Sequence, residues 1–129
     1  MLQDSSGIES GTVVETDVCV VGTGPAGMSI ALQLAKRNVS VLLLESGGFK
    51  ESDAVQALNA GKNIGRKYFA LKTCRSRYFG GSSNCWAGLC RPLEAGDFKA
   101  RDWLPHSGWP IELADLASFY DRAEPILRL

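Results

Sequence analysis

The sequence predicts an α/β fold with a strand–helix–strand unit near its beginning, then a long glycine-rich loop and a final helix. Two short apolar runs, residues 17–21 and 39–44, have the continuous aliphatic character of buried strands. Residues 26–37, between them, are helix-forming throughout. The three segments fit the about thirty residues of a βαβ unit, whose right-handed crossover makes its strands parallel.

The first strand is predicted to be buried on both faces, so that Cys19 is a small buried thiol, and the second is predicted to be a buried strand as well. Asn38 is a favourable end for the helix, and Lys36 and Arg37 suit its carboxyl end. One apolar helix face is predicted, formed by Met28, Ala31, Leu32 and Ala35.

The segments that follow are less regular. A short helix is predicted at residues 53–62, a long aromatic and glycine-rich loop at 68–93, and a helix at 112–127. The apolar stripe of that last helix is predicted to comprise Leu113, Leu116, Phe119, Tyr120 and Ala123. Residues 1–15 are predicted to be a polar, flexible leader, and residues 16–129 are predicted to belong to one domain.

Composition excludes several classes of protein. Lys and Arg together number 14, as do Asp and Glu, so the chain has no basic excess for nucleic-acid binding. We expect no transmembrane segment and no secretory signal, and hence a cytoplasmic protein with reduced thiols. The cysteines lack the spacing of metal ligands, which predicts no metal site; they are Cys19, Cys74, Cys85 and Cys90.

A glycine loop follows the first strand directly, which makes the predicted unit Rossmann-like. Gly22 allows a sharp turn, Gly24 lets the backbone approach a phosphate, and Gly27 lets the helix pack closely on the sheet. The N–H groups at the helix start would then face a pyrophosphate. The loop residues predicted to bind a dinucleotide are Gly22, Thr23, Gly24, Pro25, Ala26 and Gly27.

An acidic residue ends the second strand. Glu45 can accept hydrogen bonds from a ribose hydroxyl, and its charge disfavours the 2′-phosphate of NADP. Ser46, which follows it, is assigned to the same site. Residues 54–93 contain seven basic side chains and no acidic one, which suits an anionic diphosphate.

Residues 75–88, RSRYFGGSSNCWAG, together with the segments GTGPAG and LLLESGG, resemble the amino-terminal part of the glucose–methanol–choline (GMC) oxidoreductases, in particular their bacterial branch. The segments RPL at 91–93, DF at 97–98 and DWLPHSGWPI at 102–111 match the same branch. The resemblance covers residues 16–129 and implies that they form the amino-terminal portion of an FAD/NAD(P)-binding domain, which is thus incomplete in this chain.

The resemblance implies that residues 80–88 lie along the FAD diphosphate and the flavin ring. It assigns a further group of residues to cofactor binding: Arg77, Gly80, Gly81, Ser82, Ser83, Asn84 and Cys85. Some relatives carry at the Cys85 position a histidine that holds the flavin covalently, so we expect non-covalent FAD here. Phe79 and Trp86 are interpreted as packing residues.

In the GMC family the catalytic His-His or His-Asn pair lies near the carboxyl end of a much longer chain. His106 falls in the P-H-S-G-W segment, which has no catalytic role by resemblance, so we assign no catalytic residue and interpret His106 as structural. We expect the chain to be a truncated amino-terminal fragment, inactive without the remainder of a parent enzyme. That parent would oxidise CH–OH groups of alcohols, sugars or polyols.

Two alternatives stay open. An NAD(P)-linked flavin reductase fragment shares the first βαβ unit but needs a second glycine loop or a redox cysteine pair, and Cys85 and Cys90 have only the C-x4-C spacing. A non-catalytic nucleotide-binding module is the other alternative.

Overall fold

The computed structural model describes residues 1–127, which divide into two units, residues 1–87 and the part that begins at Gly88. Arg128 and Leu129, the last residues of the domain predicted from residue 16, lie outside the described residues. Residues 1–15 are exposed and contain one 3-10 turn, Ser5–Gly7. The flexibility of this leader stays a prediction.

The strand–helix–strand unit is confirmed. Strand β1 (Val18–Val21), helix α1 (Pro25–Ala35) and strand β2 (Val41–Leu44) follow one another, and β1 pairs with β2 in parallel. Val18 lies opposite Val41 in this register, and the Gly22 N–H donates to Leu44 O at 2.7 Å beyond the strand end. The carboxyl ends of both strands therefore meet at the glycine loop.

Helix α1 is shorter than predicted. It ends at Ala35, so Lys36 and Arg37 follow the helix instead of forming its last turn. Asn38 has a φ of +59°, the left-handed conformation that commonly ends helices, and its N–H donates to Ala35 O. Asn38 thus turns the chain two residues after the C-cap, Lys36, instead of ending the helix itself as predicted.

The predicted burial on both faces is wrong for β1, whereas Val41, Leu42 and Leu43 of β2 are half-buried. Val18 and Val20 are half-buried, whereas Cys19 and Val21 are exposed. Successive strand side chains point to opposite faces, and α1 packs on the face of Val20. Within the described residues the other face therefore stays open, and the expected burial of the Cys19 thiol is wrong as well.

The predicted apolar face of α1 is only partly correct. Ala31 is buried and Met28 is half-buried, but Leu32 and Ala35 are exposed, and Leu34 is half-buried in their place. The spacing of Gly27, Ala31 and Leu34 follows the same side of the helix. Because Gly27 makes the close contact with β1, it sets which side faces the sheet.

The rest of the first unit is mostly irregular. Helix α2 (Asp53–Gln56) and a 3-10 turn, Ala57–Asn59, replace the longer helix predicted at 53–62. Within residues 68–93 the structure has one 3-10 turn, Gly81–Asn84, which agrees with the predicted long loop. The buried side chains of this unit are Ala31 and three polar residues, Thr23, Gln56 and Asn59.

In the second unit a 3-10 turn, Ala95–Phe98, precedes helix α3 (Leu113–Leu127). Phe98 is buried, and its carbonyl accepts from Trp109 N at 3.0 Å. Phe119 is an exception to the predicted stripe, because it is exposed and carries the Arg122 guanidinium over its ring at 4.6 Å. The other predicted stripe residues are half-buried: Leu113, Leu116, Tyr120 and Ala123.

Candidate cofactor site

The glycine loop turns sharply between β1 and α1. Gly22 has a φ of +99°, a backbone conformation that residues other than glycine rarely adopt. A Cβ on Gly27 would lie 2.0 Å from Gly22 O and 3.3 Å from Val20 Cγ1, so only glycine allows this approach of helix and strand. These contacts agree with the local roles that the sequence analysis gives to both glycines.

The amino end of α1 has the donor chemistry of an anion site. Pro25 is the first helical residue, where its missing N–H costs no hydrogen bond. The N–H groups of Ala26 and Gly27 have no acceptor within the helix, and Gly24 at the N-cap brings no side chain to accept them. A Cβ on Gly24 would meet no atom within 4 Å, so a side chain there would occupy open space.

That open space is a groove of about 330 Å³, called here the Gly24 groove. Asn59 and Ser76 form part of its wall. The remaining lining residues are Gly22, Gly24, Glu45, Arg75, Arg77 and Gly81. The lining includes two arginines and one glutamate and lies at the positive end of the α1 dipole, so the charge of the groove favours an anionic ligand.

Glu45 lies at the end of β2 and is held by protein donors. Its Oε2 accepts from Thr23 N at 2.9 Å and from Thr23 Oγ1 at 2.6 Å. Its Oε1 accepts from Ser46 N at 2.8 Å, Ser46 Oγ at 3.2 Å and Gly47 N at 3.1 Å. A carboxylate offers about four lone-pair sites, so these bonds already fill its capacity.

This hydrogen bonding determines the charge of Glu45. Burial raises its pKa, but the hydrogen bonds from Thr23, Gly47 and Ser46 outweigh that effect and lower the pKa to about 2. The carboxylate therefore stays ionised at any pH at which the protein would be studied as a nucleotide binder.

The lowered pKa predicts a pH dependence of stability. Since the folded pKa is about 2 and the unsupported value is 4.5, Glu45 stabilises the fold above pH 4.5, and this contribution is lost as the pH falls towards 2. Solvent screens the half-buried group, so we expect about 1 kcal/mol. Urea unfolding of wild type and Glu45→Gln should show a stability difference at pH 6 that shrinks by pH 3; a constant difference would contradict the assignment.

Thr23 is buried, with 3% of its surface exposed, and its hydroxyl has two protein partners. It donates to Glu45 Oε2 and accepts from Gly80 N at 3.0 Å. Thr23 thus connects the glycine loop to the end of β2 and to the turn at Gly80. The structure gives its side chain no exposed face for a cofactor.

Two buried amides that the sequence analysis missed hold the segment 75–77. Gln56 donates from Nε2 to the Lys72 and Arg75 carbonyls, and its Oε1 accepts from Arg77 N at 3.0 Å. Asn59 donates to Arg75 O at 3.2 Å and accepts from Arg77 Nε at 3.0 Å. Their spacing places both on one side of the α2 segment, but an amide pair at that spacing is usually solvent-exposed.

Arg77 is oriented from both ends of its guanidinium. Besides the bond to Asn59, its Nη1 donates to Ser46 Oγ at 3.3 Å. A Cβ on Gly47 would lie 2.3 Å from Arg77 O and 2.7 Å from Tyr78 Cα, so the chain after β2 passes directly against this segment. The charge of Arg77 is therefore held at the β2 end of the Gly24 groove.

The side chains of residues 82–85 form hydrogen bonds within their own turn or contact Ser76. Ser83 Oγ donates to Gly80 O at 2.6 Å, and Asn84 Nδ2 donates to Phe79 O and Gly81 O at 2.8 and 3.0 Å. Ser82 Oγ accepts from Ser76 N at 3.1 Å, and Cys85 Sγ lies 3.2 Å from Ser76 Oγ.

The structure therefore divides the predicted site residues. Those that line the groove are Gly22, Gly24, Glu45, Arg77 and Gly81. Thr23, Gly27 and Gly80 support the walls. Pro25 and Ala26 lie at the start of α1. Arg75 and Ser76, which line the groove as well, belong to the quoted motif but were not assigned to the site.

The second unit holds a separate cavity of about 400 Å³ beside Phe98, Trp109 and Leu113. Its lining is largely apolar but includes the oppositely charged side chains of Lys99 and Glu112. No residue of the glycine loop lines it. Although this cavity is the larger of the two, it lacks the glycine loop and the paired arginines that line the Gly24 groove. His106 is exposed, in a turn where its φ is +58°.

Other kinds of site are not found within residues 1–127. No group of three His, Cys, Asp or Glu side chains there could hold a metal ion, and the four cysteines are free thiols. No helix in this part of the chain is long and apolar enough to cross a membrane.

A parallel βαβ unit with a glycine loop at the start of its helix is the arrangement of dinucleotide-binding proteins. The family model described as FAD dependent oxidoreductase (DAO) matches residues 17–128, and the chain belongs to this family. The family is FAD-dependent, which supports FAD as the cofactor.

A distant relative is the 6'''-hydroxyparomomycin C oxidase of Streptomyces lividus, 27% identical over 133 residues. The alignment covers 92% of this chain and 24% of the relative, so the chain spans about a quarter of that relative's length. No solved structure gives a significant match.

Proposed function

We propose that this chain is the FAD-binding amino-terminal segment of a GMC-type flavin oxidoreductase, and that the Gly24 groove takes the adenosine diphosphate part of the cofactor. The observation that carries the proposal is the combination of free helix N–H groups, the open space at Gly24 and two arginines around one groove. A diphosphate fits this donor set, and FAD binds without a covalent link.

The residues present fit the two ends of such a ligand differently. The N–H groups of Ala26 and Gly27 would bind phosphate oxygens, and Arg75, which also lines the groove, would neutralise charge. At the β2 end, a ribose hydroxyl can reach Glu45 by replacing Ser46 Oγ, whose 3.2 Å bond is the longest that the carboxylate accepts. Ser46 would then keep its contact with Arg77.

The proposed substrate class is the CH–OH group of an alcohol, sugar or polyol. The segment at 75–88 supports the GMC type by its resemblance, and the relative's name, an oxidase of a hydroxy compound, agrees with it. FAD supplies hydride acceptance when bound. This chain's residues bind and orient the cofactor, and the catalytic base belongs to the remainder of the parent enzyme. The expected cytoplasmic location stays a prediction.

Gly24→Val tests the cofactor site. Valine would fill the space that the phosphate needs, and since a Cβ there meets no protein atom within 4 Å, the fold should persist while FAD affinity falls at least about a hundredfold. Titration of FAD, followed by its absorbance and fluorescence, measures this loss. Gly7→Val is the matched control, because Gly7 also has no atom within 4 Å of a Cβ and lies in the leader.

Each outcome of the titration is informative. Equal FAD affinity in wild type and Gly24→Val would reject the groove as the cofactor site. Binding of NADH or NADPH in preference to FAD would favour the reductase alternative. Binding of adenosine diphosphate as tightly as FAD would favour a nucleotide-binding module without flavin specificity.

A further inference from the structure

Three parts of the chain that are distant in sequence meet at one hydroxyl. Thr23 lies 22 residues before Glu45 and 57 residues before Gly80, yet its Oγ1 bonds to both. The glycine loop, the end of β2 and the turn at Gly80 thus share a single connection. Residues of all three parts line the Gly24 groove.

The direction of each bond is fixed by chemistry. The ionised Glu45 carboxylate can only accept, so the Thr23 hydroxyl must donate to it. The Gly80 amide can only donate, so the same hydroxyl must accept from it. A side chain that only donates or only accepts cannot replace this group.

The neighbouring geometry makes the position of Gly80 matter for the groove. Gly81 follows it, and a Cβ on Gly81 would lie 3.3 Å from Gly24 Cα, so the two walls are close to contact there. Gly80 and Gly81 have φ values of +89° and +57°. The anchored Gly80 amide therefore sets how near the turn stands to the phosphate-facing residue Gly24.

We propose that Thr23 is a positioning residue: its buried hydroxyl holds the Gly80 turn against the glycine loop, so that the groove is assembled before the cofactor arrives, and it touches no cofactor atom. This inference rests on the proposed function of the groove. It assigns the second position of the glycine loop to the protein's own architecture. A preassembled groove binds more tightly because less ordering is left for the binding step.

The test compares Thr23→Val, which keeps the side-chain shape and removes the hydroxyl, with Thr23→Ser, which keeps the hydroxyl. We expect Thr23→Val to weaken FAD binding about tenfold or more and Thr23→Ser to stay within about threefold of wild type. Thr12→Val, at an exposed position in the leader, is the control. All titrations use full chain at a temperature at which each variant is folded.

Two NMR readouts do not depend on FAD. In the full chain without cofactor, Thr23→Val should speed amide hydrogen exchange at Gly80 and raise the Glu45 pKa, whereas Thr23→Ser should do neither. If the wild type fails to bind FAD, the proposed function is overturned. The exchange rate at Gly80 would still report on the hydrogen bond from Gly80 N to Thr23 Oγ1.

The proposal itself is overturned by either of two results. One is FAD affinity in Thr23→Val equal to wild type, even if the variant is less stable. The other, which applies even if Thr23→Val does not fold, is a wild-type Gly80 amide that exchanges as fast as one in an unstructured peptide.

Discussion

The Gly47→Ala substitution is expected to lower the free energy of unfolding by about 3 kcal/mol or more. The added Cβ would lie 2.3 Å from Arg77 O, 2.7 Å from Tyr78 Cα and 2.9 Å from Arg77 C. All three are backbone atoms, so no side-chain rotation can relieve the clash. The chain after β2 would have to separate from the segment that carries Arg77, and FAD affinity should fall with stability.

The adjacent glycine provides the control for this result. A Cβ on Gly48 would meet no atom within 4 Å, and its φ is not in the left-handed region. Gly48→Ala should therefore be neutral or stabilise the protein by about 0.4–1 kcal/mol, because alanine reduces the freedom of the unfolded chain. Urea unfolding of both variants measures the contrast, and equal effects at the two positions would contradict the close approach at Gly47.

The Gln56→Leu substitution is expected to lower the free energy of unfolding by about 3 kcal/mol. The Gln56 amide is buried with 6% of its surface exposed and makes three hydrogen bonds, to the carbonyls of Lys72 and Arg75 and from the N–H of Arg77. Leucine would leave Lys72 O and Arg77 N without this partner, whereas Arg75 O would keep its bond from Asn59, and each group left unsatisfied costs about 1–3 kcal/mol. Because the same bonds position Arg77, weaker FAD binding should accompany the loss.

Gln33→Leu is the matched control, since it makes the same change at an exposed position of α1. It should change the free energy of unfolding by less than about 0.5 kcal/mol. Thermal or urea unfolding, combined with an FAD titration, would separate the two variants. If Gln56→Leu proves as stable as Gln33→Leu, the amide does not support the 75–77 segment.

The strand–helix–strand unit could be predicted because its determinants are local. The aliphatic strands, the helix-forming segment and the glycines at positions 22 and 27 each specify their own backbone, and the structure has all of them in place. Burial was harder to predict. Whether Cys19 is covered depends on what packs against the open face of the sheet, and strand composition alone does not report that.

The candidate site was predictable only in part for a related reason. Gly24, Glu45 and Arg77 were found from motif and resemblance, and they do line the groove. Gln56 and Asn59 were missed because their partners are backbone groups of residues 72–77, whose position follows from tertiary structure. Likewise, the sequence offers Glu45 as a free acceptor, whereas the fold supplies it with donors from Thr23, Ser46 and Gly47.

The Thr23 hydroxyl, which links Glu45 to Gly80, has a consequence for how glycine motifs are compared among relatives. In the pattern G-x-G-x-x-G the second position is treated as unrestricted. Here that position carries a small hydroxyl, since serine or threonine both donates to a carboxylate and accepts from an amide through a single atom at this length. Homologues that keep this arrangement should therefore vary between those two residues, and a relative with another residue there needs a different acceptor for its Gly80 amide.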